Sequence, residues 1–321
     1  MMCQAEIKKL IHFAPMWIYL VLCLLMNVII TFNSGSVEYF NGISSIARTC
    51  GQKMGESVRI ELDSMPDSTI KDDVLIIADN IKPIYQTYDV DSELRGYYTN
   101  VFSSSPEAVR IIERKYAKLQ SRIDHLADIK ADMDLYAGSA TDQSYRNLFG
   151  TLMRALSGES CILAMLLTVY LMGYETNAKT ALYFNGTKTG RKLSKYKLTV
   201  SLLTSLAIFL ILAALSLSIY FLHWDYSGIW NANISSQFHT VRDLTLIKPF
   251  ITLADFTVKG YLTAVIALSA VLVVISFLFA GVLALLIQNS YVAGVLTGVF
   301  PAFGLFLGTV YRALTKCGLY L

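Results

Sequence analysis

The chain has 321 residues, of which 54% are hydrophobic and 16% are charged. With a mean hydropathy of +0.49, this composition excludes an ordinary soluble globular protein, in which about 25% of residues are charged. The net charge is +3 but it is unevenly placed: six basic residues accompany Glu175 alone in 174–197, whereas acids outnumber bases by eighteen to fourteen in 33–158. These differences predict a membrane protein that exposes two chemically different surfaces.

The first membrane crossing is predicted in segment 1–32. Lys8 and Lys9 precede an apolar run over 10–32, and this run exceeds the roughly 20 residues that a helix needs to span the hydrocarbon core. Because short basic flanks stay inside, we expect a cytoplasmic N-terminus. A cleaved signal peptide is the alternative, since Ser34-Gly35-Ser36 follows. The apolar run is longer than the roughly 7 to 15 residues of such peptides, which favours an uncleaved crossing.

Segment 33–154 is polar and is predicted to form a mainly helical extracytoplasmic domain. Helices are expected from 37 to 47, from 67 to 82 and, most clearly, from 105 to about 133, where Ser105-Pro106-Glu107 supplies an N-cap, a first-turn proline and a first-turn acid. The third helix carries one apolar stripe at spacings of three and four, made of Val109, Ile112, Tyr116, Leu119, Ile123, Leu126 and Met133.

Catalytic and metal-binding patterns are not found in the sequence. His125 stands alone, and Asp124, Asp128 and Asp132 at i+4 spacing are typical of a solvated helix face. Neither H-E-x-x-H nor G-x-S-x-G occurs, and the five cysteines have no paired spacing. We therefore predict a protein that is not an enzyme and that has no catalytic residues, no metal site and no cofactor of its own.

The second crossing is predicted at 155–173, with Glu159 just inside its outer end. An acid at membrane depth is costly and is by default a functional candidate. The alternative is that Glu159 reaches the outer interface and stays solvated, and the sequence leaves both interpretations open.

Segment 174–197 is predicted to be a cytoplasmic loop with a short surface helix. Tyr174, Ala178, Ala181 and Leu182 recur at helical spacing, and Asn185-Gly186 would end such a helix. The basic residues that follow keep the loop inside: they are Lys188, Arg191, Lys192, Lys195 and Lys197. The third crossing is predicted at 198–222.

An outer loop at 223–260 is expected next, and part of it is expected to re-enter the membrane. Its aromatic residues are predicted to lie at the membrane interface; they are His223, Trp224, Tyr226 and Trp230. The fourth and fifth crossings are predicted at 261–287 and 291–311, before a tail at 312–321. Two G-x-x-x-G pairs in the last crossing indicate close helix packing, namely Gly294 with Gly298 and Gly304 with Gly308. The expected fold class is an all-α polytopic membrane protein with five transmembrane helices. Because most such bundles return to the inner side, the sequence leaves open whether a sixth helix is missing.

The order of these segments resembles the permease subunit of the bacterial type-2 ATP-binding-cassette (ABC) transporters. The similarity lies in Phe149 and Leu152 before the second crossing, Glu159 at its start, Glu175 just after it, and a degenerate motif of about forty residues. That motif contains Ala181-Leu182-Tyr183, then Thr187-Lys188-Thr189-Gly190-Arg191, then a lysine at Lys195 or Lys197.

The resemblance implies an exporter subunit of the cell membrane that works with a separate cytoplasmic ATPase. ATP and magnesium would bind to that ATPase. A second permease subunit would complete a homodimer or a heterodimer. The residues implied to contact the ATPase are Glu175, Ala178, Leu182, Lys188, Gly190 and Arg191. The chain itself lacks the G-x-x-x-x-G-K-[ST] phosphate loop. Attraction to membrane lipid explains the positive charge of the loop, so no nucleic-acid partner is expected.

A sensor or scaffold is the alternative function. Its extracytoplasmic helices would bind a partner and signal through the bundle. This chain offers only one loop and a short tail on the inner side, and the sequence therefore favours the permease.

Overall fold

A computed structural model of the chain describes residues 2–33, 35, 37–80, 83–90, 92, 105–134, 143–180, 193–236, 241–242, 247–248, 251–252, 254–287, 289 and 292–297. These residues cluster in two compact units. The first, here called the apolar unit, contains the described parts of 2–33, 147–223 and 264–297. The second, the polar unit, contains those of 34–146 and 224–263.

Helices dominate the described residues. In chain order they are α1 (Met2–Ile11), α2 (Ala14–Phe32), α3 (Val37–Cys50), α4 (Glu56–Ser64), α5 (Thr69–Asn80), α6 (Pro106–Asp128), α7 (Met153–Asn177), α8 (Leu193–His223) and α9 (Val258–Leu286). A 3₁₀ turn lies at Ala131–Met133 and a π-helix at Arg146–Leu152. Strands β1 (Val241–Arg242) and β2 (Ile247–Lys248) form one short antiparallel ladder.

Four of the described helices are long and apolar enough to cross a membrane: α2, α8, α9 and the continuous helix Gln143–Asn177 that ends in α7. The fold is therefore that of a mainly helical membrane protein. The predicted fifth crossing at 291–311 lies outside the described residues except for 292–297, which are helical.

The predicted single run over 10–32 is divided in the structure. A break at His12 and Phe13 separates α1 from α2. Pro15 is in the first turn of α2, where its missing N–H needs no partner. A helix that continued from α1 through this point would be opposed, because the proline ring would clash with the preceding turn and the residue before a proline disfavours the helical conformation. The sequence prediction missed α1 as a separate helix.

The helix containing α7 is the most buried of the four candidate spans. Two hydroxyl pairs join it to its neighbours: Ser157 Oγ is 2.6 Å from Ser269 Oγ on α9, and Thr168 Oγ1 is 2.7 Å from Ser201 Oγ on α8. Such pairs satisfy polar groups that lipid cannot solvate. The α7 helix is thus the centre of the apolar unit.

In the polar unit, α6 begins as predicted but ends earlier. Ser105 Oγ accepts a hydrogen bond from the Ala108 N–H at 3.4 Å, while α6 stops at Asp128 and Lys130 takes a left-handed conformation at φ 51°. The chain turn after α6 buries Asp132, whose carboxylate accepts a hydrogen bond from the Tyr85 N–H at 3.0 Å. The prediction of a solvated acidic face was therefore wrong for Asp132.

His125 is not isolated. Its Nε2 lies 2.8 Å from Asp255 Oδ2, and Arg122 Nη2 lies 2.5 Å from the other oxygen of the same carboxylate. Burial opposes ionisation of this carboxyl, but the hydrogen bonds from Arg122 and His125 outweigh it and lower the pKa of Asp255. These contacts attach α6 to the segment before α9.

Segment 224–236 belongs to the polar unit rather than to a membrane-facing belt. Trp224 is fully buried, with its ring 5.3 Å from that of Phe40 on α3. Gly228 lies so close to α3 that a Cβ built there would overlap the Ser44 carbonyl oxygen. The prediction of an interfacial aromatic cluster was wrong for Trp224, because this residue fills the core.

We expect Gly228→Ala to destabilise the polar unit by about 1 to 3 kcal/mol or more, because a backbone atom blocks the added methyl group. Gly55→Ala is the matched control, since a Cβ there meets nothing within 4 Å. Thermal unfolding of the two variants in detergent would measure the difference. Equal unfolding temperatures would contradict the close approach of Gly228 to α3.

Asp134 should make the stability of the polar unit depend on pH. Burial raises the pKa of Asp134 to about 6, although the Asn233 N–H and Lys53 lower it in part. Its unfolded pKa is near 3.9, so the folded state binds more protons between these values, and its stability falls as pH rises from 4 to 7. We expect Asp134→Asn to gain roughly 2 to 3 kcal/mol relative to the parent over that range. Denaturant titrations at both pH values, with the exposed Asp128→Asn as control, would detect this gain; a pH-independent difference would contradict it.

Candidate functional site

Four charged side chains meet where α1, the end of α7 and the beginning of α8 come together. Lys9 Nζ lies 2.6 Å from Glu6 Oε1 and 2.7 Å from Glu175 Oε1. Lys197 Nζ forms an ion pair with the second oxygen of Glu175. We call these residues the charge cluster. The Glu175 carboxylate joins three helices that are far apart in sequence.

The charge cluster is largely removed from solvent. The side chains of Glu6, Glu175 and Lys197 are 3%, 8% and 5% exposed, and that of Lys9 is 20% exposed. Two acids and two lysines give a formal charge of zero. Because a buried charge is strongly destabilising once its partner is removed, the three helices are held in one arrangement as long as all four residues remain.

Aromatic rings fix the junction between α1 and α2 on the same end of α7. Lys9 Nζ lies 4.6 Å from the centre of the Tyr174 ring, a distance at which the ring face attracts a cation. Phe13, in the break before α2, stacks on Tyr170 with ring centres 3.8 Å apart. The contacts of α1 with α7 are therefore both ionic and aromatic.

The α7 helix ends two residues after Glu175 in a Schellman motif. The Thr180 N–H donates to the Glu175 carbonyl at 2.9 Å, and the Lys179 N–H donates to the Thr176 carbonyl at 3.1 Å. Lys179 has the left-handed conformation that this motif requires, with φ 57°. The helical face predicted through Tyr174 and Ala178 is therefore interrupted, because 174–177 are the last turn of α7.

Two of the residues implied to contact the ATPase lie elsewhere than on the predicted surface helix. Glu175 is buried in the charge cluster rather than displayed on a surface helix, and Ala178 follows the end of α7. The other four, Leu182, Lys188, Gly190 and Arg191, lie outside the described residues and stay predictions. The prediction overlooked Lys9 and Lys197 as partners of Glu175. One signal was present, since Lys197 lies four residues after Leu193 and three before Val200, on the buried face of α8.

Glu159 belongs to a second polar group inside the apolar unit. Its carboxylate accepts a hydrogen bond from Asn27 Nδ2 at 3.0 Å, and the same amide donates to Ser216 Oγ at 3.1 Å. The Tyr19 hydroxyl donates to the Glu159 carbonyl at 3.2 Å. These contacts hold the half-buried Glu159 side chain between α2, α7 and α8, and both interpretations of this acid stay predictions.

Gly294 lies beside α7, where a Cβ would come within 3.9 Å of the Val169 side chain. Its neighbour Ala293 is buried in a cluster with Met165, Val169 and Ala280. A methyl group added at Gly294 would make only an ordinary van der Waals contact there, so the packing role of Gly294 stays a prediction. The other glycines of that pattern, Gly298, Gly304 and Gly308, lie outside the described residues.

No group of three or more His, Cys, Asp or Glu residues within the described part of the chain is arranged to hold a metal ion. No protein-family model, curated protein or solved structure matches this chain. The charge cluster and the residues around it therefore form the candidate functional site.

We expect Lys197→Met to destabilise the apolar unit by about 3 to 5 kcal/mol, because it leaves the buried Glu175 carboxylate without one of its two cations. Lys8→Met is the matched control, since Lys8 is exposed on α1. Unfolding in a mixed-micelle titration would compare the two. Adding Glu175→Gln to Lys197→Met should recover part of the loss, and no recovery would contradict the proposed pairing.

Proposed function

We propose that this chain is the membrane permease subunit of an ABC transporter in a bacterial cell membrane, exporting a substrate with energy from a separate ATPase. In this proposal the ATPase binds at the basic loop 181–192 and carries the ATP and magnesium. A second permease subunit, identical or related, completes the transport path. The chain itself catalyses no reaction.

The observation that carries the proposal is the pairing of Glu175 with Lys197. These residues lie on either side of the basic loop, one at the end of α7 and the other at the beginning of α8, and Lys9 adds α1 to the same pair. A displacement of the loop by a bound partner would be transmitted to α1, α7 and α8 at the same time. A rigid connection of this kind suits a subunit that must convert a partner's motion into movement of its membrane helices.

The way in which the chain is divided between the two units supports the proposed topology. The chain leaves the polar unit at 146 and returns to it at 224, with two long apolar helices between. Two crossings bring a chain back to the same side, so the polar segments share one side. The contact of Lys9 with Glu175 joins α1 to the end of α7, from which the basic loop begins. The basic residues of that loop favour the cytoplasm, and we propose the same side for α1.

The first test separates ATPase binding from transmission. Tagged full-length protein would be purified in detergent from its native membrane, and co-purifying chains would be identified by mass spectrometry. We expect a soluble ATPase with a Walker motif. Arg191→Glu should reduce its recovery by about tenfold or more, since a hydrogen bond to a charged group contributes about 1.5 to 3 kcal/mol.

The paired variant Glu175→Gln/Lys197→Met should retain the ATPase but lose the stimulation of ATP hydrolysis by the reconstituted permease. Lys8→Met is the control for both measurements. Recovery of no ATPase from the parent protein would refute the proposal, and unchanged stimulation in the paired variant would remove the assigned role of the charge cluster.

A sensor or scaffold is the second candidate function. The observation that favours it is a compact polar unit with an open cavity beside α3 and α4. The same purification distinguishes the two functions. Recovery of a kinase or an external ligand protein without an ATPase would favour the sensor.

A further inference from the structure

The polar unit contains a cavity of about 560 Å³ between the end of α3, the beginning of α4 and the turn at Ser227 and Gly228. Its volume lies in the usual range for small-molecule sites, which is roughly 300 to 1,000 Å³. Arg48 and Lys53 supply two positive charges to the lining, and none of the described residues that line it is acidic. Lys53 also interacts with the Asp134 carboxyl behind the lining, so Arg48 is the less compensated of the two cations. The charge of the lining therefore favours an anion.

The neutral lining residues are also suited to an anion. Gln52, Ser57 and Ser227 add an amide and two hydroxyl groups to the two cationic side chains. Phosphate oxygens accept several hydrogen bonds at once, and a planar guanidinium can donate two of them side by side. The wall thus provides more donors than a single carboxylate would use.

The cavity wall is held in place by contacts within the polar unit. Gln52 Nε2 donates to the Gly228 carbonyl at 2.8 Å, and the Gly228 N–H donates to Ser44 Oγ at 2.9 Å. Arg48 Nη1 lies 3.5 Å from Ser227 Oγ, a separation at which a hydrogen bond is weak. Among the residues that the structure describes, this weak contact leaves most of the hydrogen-bonding capacity of the guanidinium to a ligand.

We propose that this cavity binds the phosphate group of a small phosphorylated molecule or of a lipid headgroup, with Arg48 and Lys53 as the two cationic contacts. A phosphate monoester carries about −1.5 to −2 charges near pH 7, which matches the two cations, and a phosphodiester headgroup carries a single negative charge. In both groups the phosphate oxygens can accept hydrogen bonds from the two cations together. Because the cavity is larger than a phosphate ion, the rest of the ligand occupies the remaining volume. This inference does not rest on the proposed transport function.

Isothermal titration calorimetry of the full-length protein in a neutral detergent tests the proposal, with glycerol 3-phosphate as the probe. We expect saturable binding that Arg48→Ala/Lys53→Ala weakens at least about tenfold, since a hydrogen bond to a charged group contributes roughly 1.5 to 3 kcal/mol. Arg110→Ala/Lys118→Ala is the matched control, because it removes two exposed cations from α6. The control should bind within about twofold of the parent protein.

Native mass spectrometry of the same preparations identifies the source of the phosphate. Retention of phosphatidylglycerol by the parent protein, lost in Arg48→Ala/Lys53→Ala, would assign the cavity to a lipid headgroup. Binding of glycerol 3-phosphate without retained lipid would assign it to a soluble ligand.

Lys53 Nζ also donates to the Ile129 carbonyl at 2.9 Å, so the single variant Arg48→Gln serves as a check that leaves this contact intact. It should weaken binding on its own while the unfolding temperature stays unchanged. The proposal is overturned if the parent protein binds neither probe, or if the cavity variants bind as well as the Arg110→Ala/Lys118→Ala control.

Discussion

The apolar unit depends on the cost of burying the Glu175 carboxylate. An unpaired carboxylate at this depth would be strongly destabilising, and two lysines on different helices neutralise it. That requirement fixes where α1 can lie, although α1 is too short to hold its position through its own helical stability. It also keeps the beginning of α8 beside the end of α7. The pairing of Glu175 with Lys9 and Lys197 therefore determines how the helices on either side of the basic loop are arranged.

Away from this end, the helices are joined by short polar contacts at several depths. Hydroxyl pairs connect α7 with α8 and α9, and the Asn27 amide connects α2 with Glu159 and Ser216. In lipid, apolar contact gives little preference for a particular helix neighbour, whereas a hydrogen bond requires one partner. The outward face of α2 remains apolar and exposed, including Ile18, Val21 and Leu25, as a lipid-facing surface requires.

Local signals in the sequence predicted much of the fold, and contacts between distant segments account for what was missed. The Ser105 cap and the apolar stripe of α6 depend on neighbouring residues and were readable. Hydropathy likewise predicted the long helices. In contrast, Asp132 was placed on a solvated face because its burial depends on Tyr85, and Trp224 was assigned to an interface because its partner, Phe40, lies far away in sequence. Glu175 was identified as a candidate, but its role changed because Lys9 and Lys197 approach it only in the folded structure.

The composition of the polar unit from two separated segments has a consequence for synthesis. Residues 34–146 emerge first, but Trp224, Gly228 and Asp255 supply part of their core and their hydrogen bonds. At roughly 5 to 20 residues per second, a ribosome needs on the order of ten seconds to make the intervening stretch. During that interval the first segment lacks its complement and exposes surface that chaperones or proteases can recognise. Assembly of the polar unit therefore reports on insertion of both helices between its halves, because insertion of only one of them would leave the two halves on opposite sides of the membrane.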